Sequence, residues 1–104
     1  ITVPKDIPGY ENIYQMYSIL LPNEEIRNKL QEFLTEKRII SKVYFSPIHS
    51  TSFYKEKLGI SLGDLPITEE ISSRILTLPL YPNMTSEEKN YLIDTISEFF
   101  ENRR

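Results

Sequence analysis

Apolar residues recur along this chain in two alternating rhythms. Ile13-Tyr14-Gln15-Met16-Tyr17-Ser18-Ile19-Leu20-Leu21 is dense in β-branched and aromatic residues and halts at Pro22. Such a run predicts a strand, closed by a residue that has no N–H to give. Asn23 then opens a helical rhythm. It can cap a helix whose first turn carries Glu24 and Glu25, carboxylates placed at the positive end of the dipole. Ile26, Leu30, Phe33 and Leu34 come next at i, i+4, i+7 and i+8, one apolar stripe that runs out at Lys37-Arg38.

The strand rhythm returns in Ile39-Ile40-Ser41-Lys42-Val43-Tyr44-Phe45 and stops before Pro47. The Ser/Thr-rich stretch after it predicts a loop. Residues 53–58 have room for a short helical turn, and Gly59 and Gly63 bracket the connection to Asp64-Leu65-Pro66. Pro66 suits a first helical position, and Ile67, Ile71 and Ile75 repeat every fourth residue behind it, so a short amphipathic helix is predicted. Leu76-Thr77-Leu78-Pro79-Leu80-Tyr81-Pro82 is a short extended segment pinned by two prolines. Thr85-Ser86-Glu87-Glu88 matches a capping box ahead of the stripe Leu92, Ile93, Ile96, Phe99 and Phe100, which predicts a long final helix.

The order β-α-β-(short α)-α-β-α predicts an α+β fold, a small three-stranded sheet with helices packed on one face. Residues 1–104 form one domain, an extended lead-in over 1–12 ahead of a body over 13–102. Three short strands cannot be covered on both faces by so little chain, so some surface is expected to await a partner. No internal repeat or low-complexity tract is visible.

Composition narrows the classes. At 104 residues and 39% hydrophobic content, one modest core is available. Twelve basic and fifteen acidic residues give a net charge of -3 with no long run of either sign, which argues against nucleic acid as a partner. The longest apolar runs fall far short of the roughly 20 residues that span a bilayer. No membrane partner is therefore expected, and a cytoplasmic location is the default. The absence of cysteine excludes a disulfide framework and any thiolate metal site.

Candidate chemistry is sparse. One histidine and no cysteine make no common zinc site, and no carboxylate cluster has calcium-loop spacing. There is no G-x-S-x-G elbow and no glycine-rich phosphate loop, since the three glycines stand at 9, 59 and 63. Glu24/Glu25, Glu69/Glu70 and Glu87/Glu88 lie at or near helix starts, where dipole and capping roles account for them. Asn83-Met84-Thr85 fits a glycosylation acceptor, but Thr85 already has a capping role. The single histidine, His49, stands just past a strand end among Tyr44, Phe45, Phe53 and Tyr54. On composition it is either a packed structural residue or part of a pocket with Tyr44, Phe45 and Phe53.

Five segments in order shift that balance. Tyr14-Gln15-Met16-Tyr17-Ser18-Ile19, the helix from Ile26-Arg27-Asn28-Lys29-Leu30 to Leu34-Thr35-Glu36-Lys37, Pro47-Ile48-His49 with Phe53-Tyr54, Leu65-Pro66-Ile67-Thr68-Glu69, and Ile75-Leu76-Thr77-Leu78-Pro79-Leu80-Tyr81-Pro82 together resemble the C-terminal small domain of the pyridoxal-phosphate-dependent sugar aminotransferases, the DegT/DnrJ/StrS family. The resemblance runs from about Tyr14 to Phe100 and implies the C-terminal domain of an aspartate-aminotransferase fold. In that family the large N-terminal domain supplies the Schiff-base lysine, the carboxylate facing the pyridine nitrogen and the phosphate cup. None of these maps onto this chain, so no catalytic, cofactor-binding or metal-binding residue is assigned. The resemblance places Tyr44, Phe45, His49 and Phe53 toward a nucleotide-sugar substrate, with His49 an orienting contact rather than the base.

The resemblance implies a fragment, inert by itself, of an enzyme that moves an amino group from glutamate to a keto nucleotide sugar in polysaccharide or glycan synthesis. The parent would carry pyridoxal phosphate, pair with its large domain and form a homodimer. The first residue, Ile1 rather than Met, fits a piece of something longer. The other reading is a free-standing sugar-binding or interaction module derived from that domain. Two departures stand out: Arg38 occupies a helix end where the family commonly has glycine, and Tyr44-Phe45 stand where many members have a histidine-tyrosine pair.

Overall fold

The computed structural model describes residues 1–103. Its elements are β1 (Tyr17–Leu20), α1 (Glu24–Glu36), a 3-10 turn (Ile48–Ser50), α2 (Ser52–Leu58), α3 (Pro66–Arg74), β2 (Ile75–Leu78) and α4 (Ser86–Glu101). The lead-in holds to the body through Thr2, whose N–H and C=O both bond Leu20 at 2.9 Å. β1 is shorter than its apolar run because Tyr14 takes a left-handed φ of 47°. That bend is held by Asn12 Oδ1, which accepts the Tyr14 N–H at 2.9 Å, and by the Tyr14 hydroxyl donating to Asp6.

Helix α1 starts where Asn23 Oδ1 accepts the Ile26 N–H at 2.9 Å. It ends on Arg38, which adopts φ 61°. There the Ile39 N–H reaches Leu34 O at 2.8 Å and the Arg38 N–H reaches Thr35 O at 3.0 Å, the bond pair of a Schellman cap. Arg38 therefore keeps the left-handed cap that glycine would form without strain, and Ile39 is folded back into the core beside Leu34. Helix α4 has its capping box, with the Thr85 N–H on Glu88 Oε2 at 2.8 Å and the Glu88 N–H on Thr85 Oγ1 at 3.1 Å.

The expected three-stranded sheet is corrected to two antiparallel strands, β1 and β2, with Ser18 opposite Thr77 and Ile19 opposite Leu76. The run over 39–45 touches the outer edge of β2 at one place only. Lys42 and Thr77 exchange both backbone bonds, at 3.0 and 2.7 Å. The physical reason lies on either side of Thr77, at the two other residues whose backbone groups point to that edge. The Ile75 N–H is taken by Ile71 O at the end of α3, and the Ile75 carbonyl accepts from Arg27 Nη1 at 3.4 Å. Pro79 has no N–H at all. A third strand finds one free rung, and the chain leaves the sheet after it.

The inner face of the sheet carries the core. Ile19, Leu76 and Leu78 pack with Leu30 and Leu34 of α1, Leu92 and Phe99 of α4, and Leu21 and Ile39. The two helices are joined at their rim by Lys37 with Glu98 at 2.9 Å and by the Tyr91 hydroxyl donating to Lys37 O at 3.0 Å. On the other face the hydroxyls of Ser18 and Thr77 bond at 2.7 Å. The stripe on α4 is not uniform, since Ile93 stays 53% exposed. The stripe on α3 departs further from a core face: Ile67 is 72% exposed and Ile71 38%, while Ile75 belongs to β2.

Because Arg38 bears a Cβ in a left-handed conformation, Arg38→Gly is expected to raise stability by about 0.5–1 kcal/mol. Urea unfolding measures this, and an unchanged or lower midpoint would show that the cap is not under strain.

Candidate functional site

Past Lys42 the chain carries Phe45 into the open, with Tyr44 half-buried beside it. Tyr44 and Phe45 stack with ring centroids 4.6 Å apart and planes at 29°. Together with Ile67, Thr68, Ile71 and Ile75 they line a groove of 280 Å³. Phe45 is two-thirds exposed. The isoleucine stripe that the sequence marks as amphipathic thus faces this groove rather than the core, and aromatic and aliphatic side chains face each other across it. Phe45 and Ile67 thus leave apolar surface open to water, which an occupant of the groove would bury.

The segment is stiffened from within. The Ser50 N–H and hydroxyl both donate to Pro47 O, at 2.9 and 2.6 Å, and the Thr51 N–H and hydroxyl donate to Ile48 O, at 3.1 and 2.7 Å. These bonds close the 3-10 turn and turn His49 inward, where it is only 4% exposed. His49 Nε2 lies 2.9 Å from Glu69 Oε1, and the same oxygen accepts the Gly63 N–H at 2.7 Å. One carboxylate oxygen ties the turn, the 59–65 connection and the first turns of α3.

The bond to His49, and after it that of the Gly63 N–H, holds the Glu69 carboxyl below the usual glutamate range, against partial burial and the nearby Asp64. An ionised carboxylate only accepts, so the proton between them sits on Nε2 of the imidazole. Arg27, Ser50, Glu69 and Ser73, with Val43 and Leu62, line a second cleft of 280 Å³ that shares Ser72 with the aromatic groove. Arg27 is itself buried, with Nε on Asn28 Oδ1 at 2.7 Å and Nη2 3.6 Å from Glu24.

Of the four residues singled out in the sequence, the structure brings Tyr44 and Phe45 together on the groove and buries His49 outside its lining, bonded to α3. Phe53 stands apart on α2, 59% exposed and edge-on to Tyr54 with centroids 5.1 Å apart. Glu69 reads in the sequence only as a helix-start carboxylate. Its signal is positional: four residues into a helix opened by Leu65-Pro66, a glutamate side chain reaches back over the preceding loop. A larger concavity of 720 Å³ runs along the outer edge of β2 between Met16, Ile40, Lys42, Leu80, Tyr81 and Tyr91. It shares Tyr44 with the aromatic groove, and its own titratable pair is Tyr81 with Glu88: the bond to Glu88 raises the Tyr81 hydroxyl above its usual range, while the Thr85 N–H, and after it Tyr81, holds the Glu88 carboxyl low.

The described residues do not make a seat for a phosphate-bearing aldehyde cofactor. Lys29 and Lys37 are committed to Glu25 and Glu98, Lys55 and Lys57 stand on a helix that buries none of its residues, Lys42 is exposed at a groove rim, and Lys5 and Lys89 are exposed. No group of three or more histidine or carboxylate side chains converges among the described residues. No helix among them is long and apolar enough to cross a membrane.

Comparison with known proteins adds identity to this geometry. The family model described as the DegT/DnrJ/EryC1/StrS aminotransferase family matches residues 1–97. A pleiotropic regulatory protein of Geobacillus stearothermophilus is 32% identical over 101 residues, covering 96% of this chain and 26% of that protein. GDP-perosamine synthase of Escherichia coli O157:H7 is 30% identical over 103 residues, covering 99% and 27%. The crystal structure of a DegT DnrJ EryC1 StrS aminotransferase from Brucella abortus superposes with a TM-score of 0.80 at 32% identity, over 94% of this chain and 26% of that one. The chain spans about a quarter of the length of each of these relatives.

The Glu69 pair carries a pH signature. Its carboxyl is held lower in the folded chain, so the stability it contributes is complete above the unfolded value of about 4.3 and disappears as pH falls through the lowered folded value. Glu69→Gln removes that linkage. Between pH 7 and about pH 3.5, the urea midpoint is expected to fall further for the wild type than for the variant. Equal falls would show that the carboxylate is not held by these bonds.

Proposed function

The chain belongs to the DegT/DnrJ/EryC1/StrS aminotransferase family, and from that premise we propose that it is the C-terminal part of a sugar aminotransferase. In this reading it closes a substrate cleft whose chemistry is carried by the rest of a longer polypeptide. The parent moves an amino group from glutamate to a keto nucleotide sugar in polysaccharide or glycan synthesis, works as a cytoplasmic homodimer, and leaves this portion inert by itself. The family depends on pyridoxal phosphate, which supplies an electron sink for the bonds at the reacting carbon. On the residues present, the large domain rather than this chain holds it.

The observation that carries the reading is the open groove between the Tyr44–Phe45 stack and the Ile67–Ile71 stripe, in a member of a family of sugar aminotransferases. A sugar ring offers an apolar face of C–H groups and an edge of hydroxyls. The aromatic stack suits the first, and Thr68 and the Tyr44 hydroxyl, on the same groove, offer partners to the second. Tyr44 and Phe45 are the residues proposed to touch the sugar. His49 belongs to the same site by holding the turn that presents them, whereas Phe53 stands outside the groove on α2. The role of these side chains is to bind, orient and exclude water, which converts binding into correct placement of the keto carbon. The larger concavity along β2, with Ile40, Leu80 and Tyr81 exposed, is the face proposed to lie against the large domain.

Two measurements test this. In the intact aminotransferase, Phe45→Ala is expected to raise KM for the keto sugar by roughly tenfold, the worth of one good aromatic contact, with KM for glutamate unchanged. An unaltered keto-sugar KM would remove the aromatic groove from the substrate site. With the 104-residue chain alone, added pyridoxal phosphate is expected to give no protein-bound absorbance that depends on one particular lysine. A stable band abolished by changing a single lysine would overturn the division of labour.

A further inference from the structure

The two walls of the aromatic groove belong to segments with different origins. Tyr44 and Phe45 lie on the run that leaves the sheet after its single rung at Lys42, whereas Ile67 and Ile71 lie on α3. His49 comes four residues after Phe45 and Glu69 two after Ile67, so the 2.9 Å bond between them links the two segments that carry the walls, from outside the groove's own lining. The bond is sheltered: His49 is 4% exposed and the Glu69 side chain 21%. Glu69 itself is fixed by the Gly63 N–H at 2.7 Å, which keeps its carboxylate from turning with the helix surface.

From this arrangement we propose that Glu69 is a positioning residue for the sugar-facing groove, setting its width by holding the His49 turn against α3. The inference rests on the reading of that groove as the substrate wall. Glu69 touches no substrate. It acts through His49 and the turn, and its loss leaves the aromatic stack held by the Lys42 rung, the packing of Val43 on the core and the bonds internal to the turn, with no tie from the His49 imidazole to α3.

Two variants separate the geometric claim from a general loss of folding. Glu69→Ala removes both accepted bonds, while Glu69→Gln keeps an oxygen that accepts from His49 and Gly63 and is expected to behave nearly as wild type. In the chain with labelled isoleucine methyls, Glu69→Ala is expected to shift the NMR signals of Ile67 and Ile71, which face the aromatic rings, and to leave those of the core residues Ile19 and Ile39 in place. In the intact enzyme the same variant is expected to raise KM for the keto sugar at least about tenfold with kcat and the KM for glutamate unchanged, because misplacing a contact wall weakens binding without touching the reacting groups.

Unshifted groove methyls in Glu69→Ala would overturn the inference outright. So would a keto-sugar KM that ignores Glu69→Ala while responding to Phe45→Ala. A response to neither substitution, with the methyls shifted, would instead overturn the reading of the groove as the sugar wall and leave Glu69 as a structural spacer.

Discussion

Four residues, Ile75–Leu78, carry the constraint on which the domain depends. A buried strand must satisfy every backbone donor and acceptor, and β2 does so with partners drawn from the whole chain. Leu76 and Leu78 turn their backbone groups to β1, near the other end of the sequence. Thr77 takes Lys42, and Ile75 is shared between the end of α3 and the guanidinium of Arg27. The side chains of Leu76 and Leu78 meanwhile supply the floor of the core under α1 and α4. Arg27 is the least expected partner, a charged residue buried with Leu30 and Leu34 on α1 because a strand carbonyl, Asn28 and Glu24 stand within reach of its fork.

The saturation of that edge explains the site. A run over 39–45 with the residues of a strand is refused a ladder, so it leaves the sheet at Val43 and presents Tyr44 and Phe45 outward. A segment that has lost its sheet bonds regains conformational entropy unless something else orders it. The turn at Ile48–Ser50 and the Glu69 carboxylate provide that order. Exposure and rigidity, which usually oppose each other in a loop, coexist here because the anchoring is done by polar groups behind the surface rather than by apolar packing at it.

This also separates what the sequence discloses from what it withholds. The caps at Asn23 and Thr85, the helices behind them and the core stripe on α1 arise from local chemistry, and all are legible as such. The third strand is not, because its fate is decided by Arg27, Ile71 and Pro79, groups that no window around residues 39–45 contains. The α3 stripe is legible as amphipathic but not as to which surface it faces, since periodicity defines a face and not its neighbour. Tyr44, Phe45 and His49 stand out by composition. That His49 is paired, and with Glu69 rather than with a ligand, depends on a contact twenty residues away.

His49 then shows why a lone imidazole in such a domain need not be a catalyst. Its Nε2 proton is already engaged by an ionised carboxylate, and the ring is enclosed, so on that side neither a proton nor a lone pair is free for a reacting group. What the pair offers instead is a fixed distance between a turn and a helix. In the proposed division of labour, with the chemistry assigned to another domain, a fixed distance is what this chain would contribute. The glutamate in Leu65-Pro66-Ile67-Thr68-Glu69 and the histidine in Pro47-Ile48-His49, far apart in the sequence, are two ends of one structural bond.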